Sequence, residues 1–319
     1  MSSRRMAKEW PYPRHDNFKK SLKTAAGVWF SAKGIPTHPK MPYCLDNWQN
    51  WRRNIILDSV ADYIESEQRT HEQRSEPYPL HKYIHHGLSS QAMLFNLLGP
   101  LVVESAEHIL VDLMRSRRLS VPQGKFAGKF EFSDRKVFNE DSGQPTSLDF
   151  VLNDESGVPR IFIEGKLSEH EFGSCSVFVA GDCDGSNPCQ DKSSCYLHHI
   201  KRTYLDMLEE FGFTELMKDE MHCPLINHYQ FFREVLMSLK YDGVFVLLFD
   251  DRSPVFYCKG TNGTNRGLMP LLMKFVPEAY HDRIAAISVQ EAVAAIRESG
   301  QHGHWIEDFA VKYGLPSAG

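Results

Sequence analysis

Three residues of this sequence have the side chains and spacing to handle a phosphate: Asp149, Glu164 and Lys166. Asp149 lies in Ser147-Leu148-Asp149-Phe150-Val151-Leu152, the other two in Arg160-Ile161-Phe162-Ile163-Glu164-Gly165-Lys166. Both runs are rich in β-branched and aromatic residues, and the link 153–159 carries Asn, Asp, Ser, Gly and Pro, so a β-hairpin is predicted. Side chains two apart on a strand share a face, which sets Glu164 beside Lys166 and turns Ile161 and Ile163 toward the core. An aspartate inside an apolar run is costly to bury unless something pairs with it or binds to it. Two carboxylates and an ammonium would then converge where a hard divalent ion takes one or two carboxylates and completes its shell with water and phosphate oxygens. A lysine alongside can orient the attacking water and offset charge developing on the phosphate. The competing interpretation is an ordinary surface ion pair between Glu164 and Lys166.

The pattern Asp149, then Glu164-x-Lys166, resembles the PD-(D/E)xK nuclease superfamily, although Leu148 stands where that signature has its Pro. Farther on, Tyr229-Gln230-Phe231-Phe232-Arg233 falls on a predicted helix over 227–240, ahead of the apolar run Gly243 to Phe249, which reads as a buried strand. With the Ser89-Ser90-Gln91 helix and the cysteines, this order of parts is similar to a group of bacterial restriction-endonuclease-like proteins over roughly residues 25–275. The resemblance implies an α/β (α+β) fold, a mixed central sheet flanked by helices with extra helices at both ends. It also implies Mg²⁺-dependent (or Mn²⁺-dependent) hydrolysis of DNA. Asp149 and Glu164 would hold the metal, Lys166 would activate water, Gln230 would orient water or metal, and Arg233 would contact phosphate.

The remaining sequence must position these groups. Residues 45–65 repeat apolar positions at helical spacing, with Asp46 placed to cap, and 66–79 reads as a polar connector. A second helix starts near Ser89, is expected to bend at Gly99-Pro100, and resumes from Leu101 to about Met114. Its polar residues Gln91, Asn96 and Glu104 are candidates to face the metal, Gln91 and Asn96 equally as satisfied polar groups near the helix start, Glu104 as a third carboxylate or, more simply, as a solvent-facing acid. A first strand is expected at 129–132, with a possible extension over 136–138, and further helices at 196–211, 268–280 and 288–298, the last preceded by a short strand at 285–287. His302, His304 and Trp305 read as incidental.

Cys175, Cys183, Cys189 and Cys195 fall within twenty-one positions of a polar, Gly-rich stretch, 167–195. Thiols at this density could hold Zn²⁺ or an iron–sulfur cluster, with Cys223 as a substitute ligand, or could be free cysteines in a long loop. Seven cysteines, an odd number, and no apolar run after Met1-Ser2-Ser3-Arg4-Arg5 point to a cytoplasmic protein with reduced thiols.

Net charge is -5, so the chain as a whole does not announce a polyanion partner. Residues 1–40, however, hold nine Lys or Arg against two acids, with Trp10, Tyr12, Phe18, Trp29 and Phe30 interleaved, as suits an arm along a phosphate backbone or a solvated tail. The organisation expected is a basic arm and helix over 1–75, a nuclease-like core over 76–285 with the Cys-rich insertion 167–195, and a helical tail over 286–319. Two rivals to a nuclease remain: an inactive nucleic-acid-binding protein of the same fold, and a zinc-stabilised interaction module. Cutting both strands of a duplex would need two sites, as in a homodimer.

Overall fold

A computed structural model describes residues 13–76, 78–260 and 263–317. Its centre is a five-stranded mixed sheet whose spatial order follows the chain: β1 (Ala127–Ser133), β2 (Ser147–Asn153), β3 (Pro159–Lys166), β4 (Val244–Phe249) and β5 (Ile284–Ser288). β1, β2 and β3 are antiparallel neighbours, with Phe150 opposite Ile163 and Val151 opposite Phe162. β3, β4 and β5 run parallel, so each of those links must cross over a face of the sheet rather than turn back as a hairpin. All six residues of β4 are buried, as expected for a strand hydrogen-bonded on both edges and covered on both faces.

The two faces of β3 divide the core. Ile161 and Ile163 pack with Leu94, Leu97, Leu98 and Leu101 of α3 (Ser90–Val103), and with α6 (Val289–Glu298) and α7 (Gly303–Tyr313). Phe162, with Phe245 and Leu247 of β4, packs under Phe231, Phe232, Val235 and Leu236 of α5 (Tyr229–Lys240). Gly165 is the point of closest approach to α3: a Cβ there would lie 2.5 Å from Leu94 Cδ1. The remaining long helices are α1 (Pro13–Ala32), α2 (Asp58–Gln73) and α4 (His108–Ser116).

Several helices depart from the expected limits. The segment predicted as one helix over 45–65 is a 3₁₀ stretch, Trp48–Asn54, capped by Asn47 rather than Asp46, followed by α2, which runs on through what reads as a polar connector. α3 passes through Pro100 unbroken as far as Val103. Its neighbour Gly99 lets Val60 approach so closely that a Cβ would meet Val60 Cγ1 at 2.5 Å. The 196–211 segment is split into Tyr196–His199 and Tyr204–Glu210, with Lys201 between them in the left-handed region at φ 63. Residues 136–138 do not extend β1. Among the described residues no single helix is long and apolar enough to cross a membrane. α3 and α4 pass only as a pair bent by 111°, and α3 is almost wholly buried in the core.

Residues 1–12 of the basic arm lie outside the described residues; the described part of that arm begins with α1, whose Phe18, Leu22, Ala26, Trp29 and Phe30 are buried. Against it α7 presents Lys312, fully buried, with its ammonium on the Asn54 carbonyl and 4.4 Å from the Trp29 ring centre. Burial pulls this amine well below the usual lysine range, and Asp308 opposes the shift only in part. In the window below the ordinary lysine pKa of about 10.4 the unfolded chain therefore binds the extra proton, and stability rises with pH. Lys312→Met is expected to raise the melting temperature at pH 7 and to flatten that rise, because the Asn54 carbonyl keeps the Asn96 amide at 3.0 Å. Thermal melts from pH 7 to 10 check this; identical slopes for the two proteins would refute it.

Candidate functional site

The end of the β2–β3 hairpin next to α5 is where the titratable groups gather. The register that pairs Phe150 with Ile163 places Asp149 one step farther, next to Glu164, and Asp149 Oδ2 accepts the Gly165 N–H at 2.9 Å. Glu164 Oε1 accepts from Lys166 Nζ at 2.8 Å and from Gln230 Nε2 at 2.6 Å, while Gln230 Oε1 accepts from Lys166 Nζ at 2.9 Å. These contacts form a closed triangle of Glu164, Lys166 and Gln230. Two of the three Lys166 N–H groups are used in it, which leaves the third for a further acceptor.

The triangle is not a surface ion pair. Glu164 and Lys166 are 3% and 7% exposed, because α5 lies across the face of β3 that a two-layer hairpin would leave wet. Gln230 is delivered by the first turn of α5, whose Tyr229 and Gln230 N–H groups donate to the Gly173 and Phe172 carbonyls. The start of the Cys-rich insertion thus holds the helix in register with the hairpin.

Two acids that sequence reasoning passed over join the group. Glu131 sits in β1 between Phe130 and Phe132, at a point where the ladder skips a pair and the backbone takes φ 55. Its Oε1 accepts from Gln91 Nε2 at 2.6 Å. Glu234, one helical turn after Gln230, is 1% exposed and its Oε2 has no hydrogen-bond partner. The spacing of Gln230 and Glu234 could have identified the second acid, since residues i and i+4 share a helix face. Nothing in the Phe-Glu-Phe alternation separates Glu131 from a solvent-facing strand residue.

Asp149, Glu164, Glu131 and Glu234 therefore crowd together with Lys166 as the ammonium paired to Glu164. Burial, then Glu164 and Glu131, push the Asp149 carboxyl well above its usual range, against Lys166 and the Gly165 N–H. Burial and then Glu164 do the same to Glu234. Burial raises Glu131 to about 7, with Glu164 adding to the rise and the Gln91 amide opposing it. Burial disfavours the charged form of Lys166, but Glu164, Glu169, Glu234 and Asp149 outweigh it and hold the ammonium firmly protonated. Asp149 and Glu131 keep part of their surface open. A cleft of about 450 Å³ lined by Thr146, Ser147, Gly173, Ser174, Gln230, Arg233 and Glu234 opens on the α5 side.

Arg233 lines that cleft but is already engaged: it bonds Glu140 Oε1 at 2.9 Å and Thr146 Oγ1 at 2.7 Å, and lies 4.7 Å from the Tyr229 ring centre. Of the α3 residues, Gln91 alone joins the acids. Asn96 is spent on Ile56 N, the Asn54 carbonyl and the Tyr313 hydroxyl. Glu104 caps the far end of the same helix, about 20 Å away by helical rise. It is not a third carboxylate at the site but a solvent-facing acid, which also pairs with His302 at 2.6 Å and His304 at 3.4 Å. Those histidines form no metal-ligand set among the described residues; they pair with that acid.

All seven cysteines are free thiols. Cys175, Cys183, Cys195 and Cys223 line one apolar cavity, which Cys189 does not line. Backbone bonds from Cys175 N to the Ile226 carbonyl and from Cys223 N to the Gly185 carbonyl, both 2.9 Å, tie the insertion to the 222–226 segment. Burial pushes the Cys223 thiol up to about 12 and Cys189 up to about 11. Among the described residues no three His, Cys, Asp or Glu side chains are arranged as a ready metal cage, at the thiols or at the acids.

The profile of the family described as Restriction Endonuclease associating with ARP matches residues 23–314, nearly the whole chain. No curated protein and no solved structure matches.

Proposed function

From the premise that this chain belongs to the family Restriction Endonuclease associating with ARP, a nuclease-like family, we propose that it is a metal-dependent deoxyribonuclease of the PD-(D/E)xK type. The observation that carries the reading is the buried triangle of Glu164, Lys166 and Gln230 beside Asp149. The donor set suits a hard divalent ion: the proposed ligands are carboxylate oxygens, Oε2 of the neighbouring Glu234 has no hydrogen-bond partner, and acids outnumber the single ammonium. Asp149 and Glu164 would hold Mg²⁺ or Mn²⁺, with water and phosphate oxygens making up the remaining positions as is usual for Mg²⁺. Such an ion, when bound, supplies electrostatic stabilisation of the charge that builds on the phosphate.

The chain's own groups do the rest. Water attacks phosphorus in line with the leaving oxygen, the bond from phosphorus to that oxygen breaks, the proton of the water passes to solvent, and the leaving oxygen takes a proton from solvent to become the product hydroxyl. Lys166, held protonated by the acids, acts as a donor rather than a base: its third N–H positions the water or a non-bridging oxygen. Gln230 fixes Lys166 and Glu164 at once and is a positioning residue. Arg233 keeps Glu140 and Thr146 through Nη2 and Nε and lines the cleft, so its proposed part is to set the cleft wall against which the strand lies, with the donors of Nη1 left for a phosphate oxygen.

The experiment is incubation of the pure protein with plasmid, linear and single-stranded DNA, with Mg²⁺, Mn²⁺ or EDTA. Cleavage that needs the metal is expected. DNA binding that persists in EDTA with no nicking in Mn²⁺ would favour an inactive binding protein of the same fold.

The thiol cavity is the proposed place of a structural Zn²⁺, with Cys223 taking the position that Cys189 leaves, and with small movements of the insertion closing four sulfurs on the ion. An iron–sulfur cluster is the other thiolate-bound group that this set could take. About one zinc per chain is expected in protein purified without chelator, falling sharply in Cys195→Ser. Metal-free protein with unchanged thermal stability after chelation would exclude it.

A further inference from the structure

On the other side of the acids from the cleft beneath Arg233 lies a second opening, a groove of about 560 Å³. Lys19 and Lys23 of α1, His81, Tyr83, Ser90 and Ser168 line it. The groove abuts the site directly. Ser168 follows Lys166 by two residues, and Gln91, whose Nε2 donates to Glu131, accepts the His81 N–H on its Oε1 at 2.8 Å. A single side chain is thus shared by the groove wall and the acidic cluster.

Two features of the groove point to a ligand. Its cations are uncommitted: among the described residues, neither Lys19 nor Lys23 has an acidic partner within ion-pair distance, nor does the neighbouring Lys82. Lys23 instead sits 5.0 Å from the Tyr43 ring centre and Lys82 the same distance from Tyr83. The one acid lining the groove, Glu169, turns its Oε2 to the Leu167 N–H at 2.7 Å. The second feature is Tyr83, a large ring left 53% exposed at the rim, with His81 at 5.3 Å and 64°. An exposed ring beside unpaired ammoniums is how a single strand is held: phosphates follow the charge and a base stacks on the ring.

We propose that this groove seats the strand of nucleic acid next to the phosphate being cut, with its phosphates against Lys19 and Lys23 and one unpaired base stacked on Tyr83. The inference rests on the nuclease reading and deepens it, because it assigns the substrate class as a single strand or a locally opened duplex. A stacked base must be unpaired, and a groove of this volume is on the scale of a small-molecule pocket, room for one or two nucleotides. The part of the basic arm that forms α1 would then act on substrate as well as pack on the body.

The test is fluorescence anisotropy of wild type and variants with a labelled thymidine 15-mer in EDTA, alongside cleavage of the same oligonucleotide in Mn²⁺. Tyr83→Ala is expected to weaken binding about ten-fold or more, and Tyr83→Phe to restore it. Lys19→Ala with Lys23→Ala is expected to flatten the slope of log affinity against log salt by roughly 1.4, two phosphates of a single strand. Wild-type affinity and slope in both variants, from a wild type that cuts, would overturn this inference alone. A wild type that neither binds nor cuts would overturn the nuclease reading and the groove with it. Tight binding confined to duplex and indifferent to Tyr83 would overturn the assignment to unpaired strands.

Discussion

Lys166→Ala and Asp149→Asn are each expected to abolish DNA cleavage, lowering the rate by on the order of 10² to 10⁴, and to move stability in opposite directions. Among the described residues Lys166 is the ammonium that pairs with Glu164 within this group of acids, so its removal leaves the buried Glu164 without its ion-pair partner and lowers the melting temperature. Asn at 149 keeps an oxygen for the Gly165 N–H and removes one of the crowded charges, so it should melt higher than wild type in EDTA. Two inactive variants with stability shifts of opposite sign cannot both be inactive through misfolding. Cleavage by Lys166→Ala at the wild-type rate would end the assignment, and so would full activity in Asp149→Asn.

The second large effect is on the unbound protein. Glu234→Gln is expected to stabilise it in EDTA by about 1–3 kcal/mol, because Oε2 has no partner and the carboxyl lies near those of Glu164 and Asp149. The pH dependence follows from the same crowding. Asp149, Glu131 and Glu234 all have folded-state pKa values raised above their ordinary range, Glu131 to about 7. Between about pH 4 and 7 the folded chain therefore binds more protons than the unfolded chain, and this group of residues makes stability fall as pH rises. Saturating Mg²⁺ should raise the wild-type melting temperature more at pH 8 than at pH 5, and should do little for a Glu164→Gln variant. Scanning calorimetry at the two pH values decides it. A Glu234→Gln protein that melts lower in EDTA would mean that its carboxylate is already compensated.

The strongest elements of the fold were legible because each is encoded locally. The β-branched and aromatic runs around Asp149 and Glu164, the turn residues between them and the apolar run into Phe249 each carry their own strand signal, and β2, β3 and β4 lie where those signals place them. The helix ends were less so. Whether a helix passes Pro100 or stops at Lys201 depends on neighbours such as Val60, which sit far away in sequence.

The sequence by itself determined the mixed α/β architecture and the hairpin that carries Asp149, Glu164 and Lys166, since strand periodicity and turn chemistry act between near neighbours. Tertiary structure alone decided that Glu131 lies close to Asp149, that Glu234 is buried beside them, that Glu104 is turned away to His302, and that Arg233 pairs with Glu140. Those outcomes depend on which surfaces α3 and α5 press onto the sheet. Burial, which sets the charge state of every one of these groups, belongs to the packed assembly and has no local code.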